Sequence, residues 1–348
     1  MIAFSSESFD ASFGRIRRLC RDGQLREALQ LLHQMDQKGI SISRDIFYHL
    51  LQVCAKKRDL SIARQLQSYR IARDLRSVTV LGDHLIRIFV SCGNLQEANE
   101  VFNSVPKPSV YTWNSIISAY IAFEEYERAI ELHKQMQHSL TRPNEVTFLY
   151  VLKAYSCLNL SEQGMLLHCE ITELGLDHDV TIASTLIDMY MKCGLLVKAQ
   201  DVFDMLPSRD VNSWNALIAG YAKFKHGVEA LRCFEYMQLE GVLPDSGTFV
   251  GVLVACCHVG LVEKGQTYLE IMTEDYGISP TTEHHTCMVS LLARAGHLDM
   301  ALKMAAKMQS DSPPLIWDAM LTGCEKWGNM EVGRFAFENE SKWIDKST

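Results

Sequence analysis

What constrains this chain most is that it repeats itself at an offset of 101 residues. Val101-Phe102 recurs as Val202-Phe203, Pro106 as Pro207, Trp113-Asn114 as Trp214-Asn215, Tyr120 as Tyr221, Met136-Gln137 as Met237-Gln238 and Thr147-Phe148 as Thr248-Phe249. A fixed period denotes an array of small units rather than a globular domain. Inside each block a shorter pattern returns every 31 to 36 residues: an apolar helix, a break often holding glycine, and a second helix with a central alanine. In 110–144 the first helix carries Trp113, Ile116, Ile117, Tyr120 and Ile121, and the second Ala129, Ile130, Leu132 and Met136, all at helical spacing. One pair cannot cover those apolar faces, so neighbouring pairs must stack. The expected fold is an all-α solenoid of helix-turn-helix repeats with the first helices lining a concave side. Pro143 and Pro244 fall where they would stop the second helices.

Phasing the pattern gives units at 9–43, 44–78, 79–109, 110–144, 145–179, 180–210, 211–245, 246–281 and 282–313, with a degenerate, helical extension motif over 314–348. Their lengths run 35, 35, 31, 35, 35, 31, 35, 36 and 32, a triplet alternation that a plain tetratricopeptide array does not have.

Composition excludes several alternatives. With 47% hydrophobic and 22% charged residues the chain is neither disordered nor fibrous. No apolar run reaches the roughly 18 residues needed to cross a bilayer, so no membrane association is expected. Residues Met1 to Ser8 have neither a signal-peptide core nor the Arg-rich and Ser-rich pattern of an organelle transit peptide. The 11 cysteines contain no C-x-x-C, and Cys92 and Cys193 each precede a glycine, as small packing residues of the repeat would. A reduced compartment is expected. The net charge of −8 is unevenly spread, because residues 1–78 carry 14 Lys and Arg against 8 Asp and Glu. Any grip on phosphates is therefore expected to be strongest near the N-terminus.

Three residue clusters invite catalytic or metal readings and do not sustain them. His168-Cys169-Glu170 supplies the H-x-E half of a zinc deaminase, but no P-C-x-x-C follows to complete the zinc ligands. Adjacent residues in Cys256-Cys257-His258 point about 100° apart on a helix, which suits packing better than ligation. No phosphate-binding G-x-x-x-x-G-K-[ST] and no nucleophile elbow occurs. No catalytic centre, metal or cofactor is expected. Trp113 and Trp214 recur with apolar neighbours, which favours core packing over stacking on bases.

Several segments resemble a known family in its own order. They are 112–120 (Thr112-Trp113-Asn114-Ser115-Ile116-Ile117-Ser118-Ala119-Tyr120), 186–194 (Leu186 to Gly194), 202–210 (Val202 to Asp210), Asp275-Tyr276-Gly277-Ile278, and Glu283-His284-His285-Thr286-Cys287-Met288-Val289. Together with Leu315-Ile316-Trp317 through Gly328-Asn329-Met330-Glu331, they are similar to plant pentatricopeptide repeat (PPR) proteins over about 9–345. The resemblance is to the PLS subclass, which alternates standard, long and short motifs, with an E-type extension motif and no DYW deaminase domain.

That resemblance implies a right-handed superhelical solenoid that binds single-stranded RNA at about one base per repeat. It implies that the fifth and last residues of a repeat read the base. Carried over, the pairs are Asp83 with Ser109, Asn114 with Asn144, Ser184 with Asp210 and Asn215 with Asp245, with Thr286 at the fifth place of the final short motif. Asn114 with Asn144 is similar to a cytosine pair, Ser184 with Asp210 to a guanine pair and Asn215 with Asp245 to a uracil pair. Asp83 with Ser109 departs from the common combinations, and Pro313 replaces the usual partner of Thr286, leaving only a purine preference there. Phe13, Tyr48, Leu149 and Val250 offer no polar edge-reader.

The family further implies mitochondrial or chloroplast transcripts as targets and a role as specificity factor in C-to-U editing. The deaminase would come in trans, from a deaminase-bearing PPR protein or with small organellar editing factors. Splicing and transcript stability are alternatives within the family. From another class, a helical scaffold binding a protein partner would suit the acidic balance beyond residue 78. A scaffold has no reason, however, to vary the repeat-terminal Asn, Asp and Ser in step with the fifth residues.

Overall fold

The computed structural model describes residues 6–37, 44–72, 79–308 and 314–347. Pro313 and the ends of the first two repeats, at 43 and 78, lie outside them. Twenty helices occur among the described residues, with no strand. The chain divides into two compact units, Met1–Ala154 and Tyr155–Thr348. The first unit contains α1 (Ser6–Arg21), α2 (Leu25–Gln37), α3 (Arg44–Lys57), α4 (Leu60–Ala72), α5 (Thr79–Ser91), α6 (Leu95–Asn103), α7 (Val110–Ala122) and α8 (Tyr126–His138). The division falls inside α9 (Glu145–Leu158). The second unit continues with α10 (Ser161–Glu173), α11 (Val180–Lys192), α12 (Leu196–Met205), α13 (Val211–Lys223), α14 (Gly227–Leu239), α15 (Ser246–Val259), α16 (Val262–Glu274), α17 (Thr282–Ala295), α18 (Leu298–Lys307), α19 (Pro314–Trp327) and α20 (Met330–Ser347).

In each unit the odd-numbered helices pack one on the next: α1, α3, α5 and α7 in the first, and α11, α13, α15, α17 and α19 in the second. Each even-numbered helix other than α10 lies against its own first helix, and those from α2 to α6 and from α10 to α18 lie against the one that follows. The core runs between these two rows. Trp113 and Trp214 are buried in it, edge-on to Phe102 at 4.8 Å and to Phe203 at 4.6 Å, so both tryptophans are packing residues. The central small residue of the second helix, such as Ala63, Ala98, Ala199 or Ala230, is fully buried. Where glycine takes that place the reason is close approach: a Cβ on Gly164 would sit 2.6 Å from the Met189 sulfur.

First helices end on a residue in the left-handed conformation, which closes the last turn and lets the chain reverse. These residues are Gly23, Arg58, Gly93, Glu124, Asn159, Gly194, Lys225, Gly260, Gly296 and Gly328. The intervals between them are 35, 35, 31, 35, 35, 31, 35, 36 and 32 residues. Four of the ten are not glycine, so the turn is imposed by packing of the helices it joins as much as by backbone freedom.

The two prolines act differently from expectation. Helix α8 ends at His138 and α14 at Leu239, closed by Leu140 (φ 59°) and Gly241 (φ 73°) in the left-handed region. Pro143 and Pro244 lie several residues further on, immediately before Asn144 and Asp245, which cap α9 and α15. They fix the entry into the next first helix rather than the exit from the second.

Candidate functional site

An α-helix begins with backbone N–H groups that have no partner inside the helix, and Ser, Thr, Asn and Asp side chains supply one. The last residue of a repeat does this for the first helix of the next. Ser109 accepts from Thr112 N, Asn144 from Thr147 N, Asp210 from Ser213 N and Asp245 from Thr248 N. The repeat-terminal residue is therefore held by one oxygen; at Asn144 and Asp245 the second polar atom is left over, whereas Ser109 has none and Asp210 Oδ2 accepts from Asn212 Nδ2 at 3.0 Å.

The fifth residue of the preceding first helix closes on the same cap. Asn114 Nδ2 donates to Asn144 Oδ1 at 2.9 Å, and Asn215 Nδ2 donates to Asp245 Oδ1 at 3.0 Å. Ser184 Oγ donates to Val180 O of its own helix at 2.6 Å and is also placed to donate to Asp210 Oδ1 at 3.1 Å. The structure thus brings together three of the residue pairs named from the sequence. Asn114 is not the exposed helix residue its polarity suggests, being only 7% accessible, whereas Asp245 is open to solvent.

The pair Asp83 and Ser109 is arranged differently. Both engage the Thr112 side chain, and Asp83 Oδ1 is buried without a hydrogen-bond partner. Burial pushes the Asp83 carboxyl above its ordinary range, against the opposing pull of the Thr112 hydroxyl, Arg87 and Arg70. Thr286 is nearly buried and its hydroxyl donates to Thr282 O at 2.8 Å. Phe13, Tyr48, Leu149 and Val250 are half-buried, and Tyr48 meets His84 edge-on at 4.8 Å.

Charge at these pairs follows from the same contacts. Burial works to raise the Asp210 carboxyl, but bonds from the Ser213 backbone and hydroxyl, Asn212 and Ser184 outweigh it and hold it below the usual carboxylate range. Asp245 is likewise lowered, burial being overcome by the Thr248 backbone, Asn215 and the Thr248 hydroxyl. Both are ionised at neutral pH and act only as acceptors.

Sequence inspection overlooked Thr112, Thr147 and Thr248, three residues beyond each cap. Their hydroxyls return a bond to the cap backbone, accepting from Ser109 N, Asn144 N and Asp245 N at 3.0–3.1 Å. The cap-x-x-Thr spacing is the signal that could have found them.

Of the clusters set aside on sequence grounds, Cys256 is buried whereas Cys169 is exposed. His168 Nδ1 bonds Tyr190 Oη at 2.8 Å and burial lowers its pKa. Burial pushes the Cys256 thiol up to about 11. All 11 cysteines are free, and no helix among the described residues is long and apolar enough to cross a membrane.

Stacked helix pairs joined by a recurring fifth-residue-to-cap contact define a helical repeat protein of all-α solenoid type. The PPR repeat family description matches 108–157 and 209–258, and the PPR repeat description matches 15–40, 84–107, 182–211 and 283–312. The chain belongs to the pentatricopeptide repeat family.

Relatives include the chloroplastic pentatricopeptide repeat-containing protein CRR2 of Arabidopsis thaliana, 35% identical over 92% of this chain and 50% of that one. A second Arabidopsis thaliana member, named as chloroplastic and mitochondrial, is 36% identical over 87% of this chain and 48% of its own length. A mitochondrial one is 34% identical over 92% of this chain and 42% of itself. The chain spans about half the length of these curated relatives. Among solved structures, maize PPR10 in complex with an 18-nt psaJ RNA element superposes with a TM-score of 0.68 at 15% identity, covering 95% of this chain and 55% of that one. That similarity is one of fold.

Proposed function

We propose that this chain binds single-stranded RNA of organellar transcripts and selects bases through the fifth-residue and cap pairs. The observation that carries the reading is a one-atom difference between two otherwise identical frames. In both, Oδ1 of the cap is consumed by the helix N-terminus and by the fifth-residue amide. What remains on Asn144 is an amide N–H₂, a donor, and what remains on Asp245 is a carboxylate oxygen, an acceptor. Cytosine offers an acceptor at N3 and uracil a donor at the same ring position, so Asn144 suits cytosine and Asp245 suits uracil.

The third pair extends the logic. The Ser184 proton goes to Val180 O or Asp210 Oδ1, and with either acceptor the hydroxyl oxygen and the Asp210 carboxylate both present lone pairs. Guanine carries two adjacent donors, N1–H and N2–H, on its pairing edge, and the short Ser side chain leaves room for a purine. Thr286, with its hydroxyl similarly turned onto its own helix, fits a purine as well. In chain order from the third repeat the preference is unassigned, C, any, G, U, any, purine.

The PPR10 complex contains an RNA element, and relatives are named as chloroplastic or mitochondrial, which supports an organellar transcript as target. The similarity of 314–348 to the extension motif supports the finer reading, a specificity factor for C-to-U editing with the deaminase recruited in trans. Selection of bound sequences from a randomised RNA pool by the purified chain tests the proposal. The expected enrichment has G followed by U at adjacent repeat positions; replacing Ser184 with Asn should convert that G to U. A pool that stays unenriched while the chain is folded would refute it.

A further inference from the structure

We propose that Thr147 and Thr248, which belong to the repeats that follow, are positioning residues that orient the amides of Asn114 and Asn215 and so set the polar atoms these offer to a base. The inference deepens the proposed function and rests on it for its RNA arm. The argument starts from proton counting. A threonine hydroxyl has one proton, and at Thr147 the oxygen already accepts from the backbone N–H of Asn144 at 3.1 Å. That backbone N–H cannot reverse its polarity. The hydroxyl proton is therefore directed to an acceptor, and the nearest is Asn114 Oδ1 at 2.7 Å.

The circuit then closes. Asn114, with its oxygen held by Thr147, turns Nδ2 toward Asn144 Oδ1 at 2.9 Å, and that oxygen is pinned by Thr147 N at 3.2 Å. One N–H of the Asn114 amide remains, and its direction is fixed by the other four atoms. In the second unit the same circuit is built independently. Asp245 N donates to Thr248 Oγ1 at 3.0 Å, Thr248 Oγ1 donates to Asn215 Oδ1 at 2.6 Å, and Asn215 Nδ2 donates to Asp245 Oδ1 at 3.0 Å. Thr147 and Thr248 are both fully buried, so no water competes for their protons.

A capping box alone would need the threonine oxygen only as an acceptor. Here its proton is used as well, on a residue 33 positions away in sequence. Where the fifth residue is Ser184, the corresponding Ser213 sends its proton to Asp210 instead and makes no such circuit. The closed circuit thus accompanies asparagine at the fifth place; at Asp83 the Thr112 hydroxyl bond is made without a fifth-residue amide to return it to the cap. Without the hydroxyl, Asn114 Oδ1 loses a close, buried partner, and the amide is free to turn.

The test compares Thr147→Val, which keeps the shape and loses the hydroxyl, with Thr147→Ser, which keeps the hydroxyl. Two readouts are taken on the full chain. One is the ratio of affinities for RNAs carrying C or U at the base assigned to Asn114 and Asn144, with the G-to-U ratio at the Ser184 position as internal reference. The other, free of RNA, is hydrogen exchange of the Asn114 side-chain amide by NMR, its signal assigned by loss in Asn114→Asp. The expected result for Thr147→Val is a C-to-U ratio reduced about fivefold or more. Its G-to-U ratio should stay within about twofold, with faster Asn114 amide exchange. Thr147→Ser should retain all three. A Thr147→Val protein with unchanged ratio and unchanged amide protection overturns the proposal. So does one that weakens both ratios together while Asn114 stays protected, because that is the behaviour of a helix cap alone. If the unaltered chain ranks all bases equally, the base-reading proposal fails, and the amide exchange still decides the orientation proposal.

Discussion

Replacing Asn144 by Asp should invert a base preference by exchanging one amide nitrogen for one oxygen. Asn144 Oδ1 makes the helix-capping bond to Thr147 N and accepts from Asn114, and an aspartate oxygen does the same at Asp245. Asn and Asp cap helices about equally well, and a negative charge at a helix N-terminus adds about 0.3–1 kcal/mol, so the fold should hold or gain slightly. The outward atom changes from donor to acceptor. A contact to a base edge is worth about 1–3 kcal/mol, or about 5- to 150-fold in affinity. Cytosine should lose that amount and uracil gain it. The added negative charge weakens binding to every RNA alike, so the ratio of affinities is the quantity to read. Competition anisotropy with two RNAs differing only at that base measures it, with the G-to-U ratio at the Ser184 position as a control. An unchanged C-to-U ratio beside an intact control ratio would show that the base does not meet the outward atom of the cap.

Four further outcomes are expected. Ser184→Asn gives its repeat the Asn-with-Asp pair of Asn215 and Asp245, so its preference moves from G to U in paired titrations; identical ranking by both proteins would refute the assigned register. Alanine at Lys56, Lys57 and Arg58, exposed around the end of α3, should lower affinity for all sequences and flatten its salt dependence, since phosphate contacts position without specifying; a triple variant with unaltered affinity and salt slope places them off the RNA path. Leu140 is 91% exposed at φ 59°, a conformation costly for a side-chain-bearing residue, so Leu140→Gly should raise the urea midpoint by about 0.5–1 kcal/mol of stability, and a lowered midpoint refutes the strain. His133 is buried with Nε2 unpartnered, and burial, aided by Lys134, lowers its pKa to about 4. An unfolded histidine titrates near about 6.5, so between those values the unfolded chain binds the extra proton and stability falls as pH falls, by about 3 kcal/mol in all. Denaturation of His133→Leu across that range should show a shallower slope; an unchanged slope would assign acid sensitivity elsewhere.

The helix pairs were legible because burial follows a helical period: Trp113, Ile116, Ile117 and Tyr120 recur at a spacing only one face of a helix can satisfy, and all are buried. The meeting of Asn114 with Asn144 was not legible in that way. Periodicity marks Asn114 only as a polar residue beside a tryptophan, and the contact depends on where the next helix starts. The resemblance to the family supplied the pair; the cap chemistry behind it came from the structure. Pro143 was misplaced because proline is compatible with the end of one helix and the approach to another, and only the left-handed Leu140 shows that α8 has already closed. Glu124 and Lys225 gave no sign of their positive φ, since neither residue type favours it and the surrounding helices impose it.

The cap contacts bear on how such an array can be cut and rejoined. Asn114, Asn144 and Thr147 are bonded to one another across the conventional boundary between two repeats, as are Asn215, Asp245 and Thr248. A cassette excised between residues 144 and 145 would carry two members of the trio and leave the third to whatever segment is ligated after it. The natural seam for exchanging a base preference lies at least three residues later, inside the first turn of the next helix. Chimeras joined there should keep the donor's preference regardless of the acceptor array, and chimeras joined at the boundary should keep it only when the acceptor supplies its own threonine.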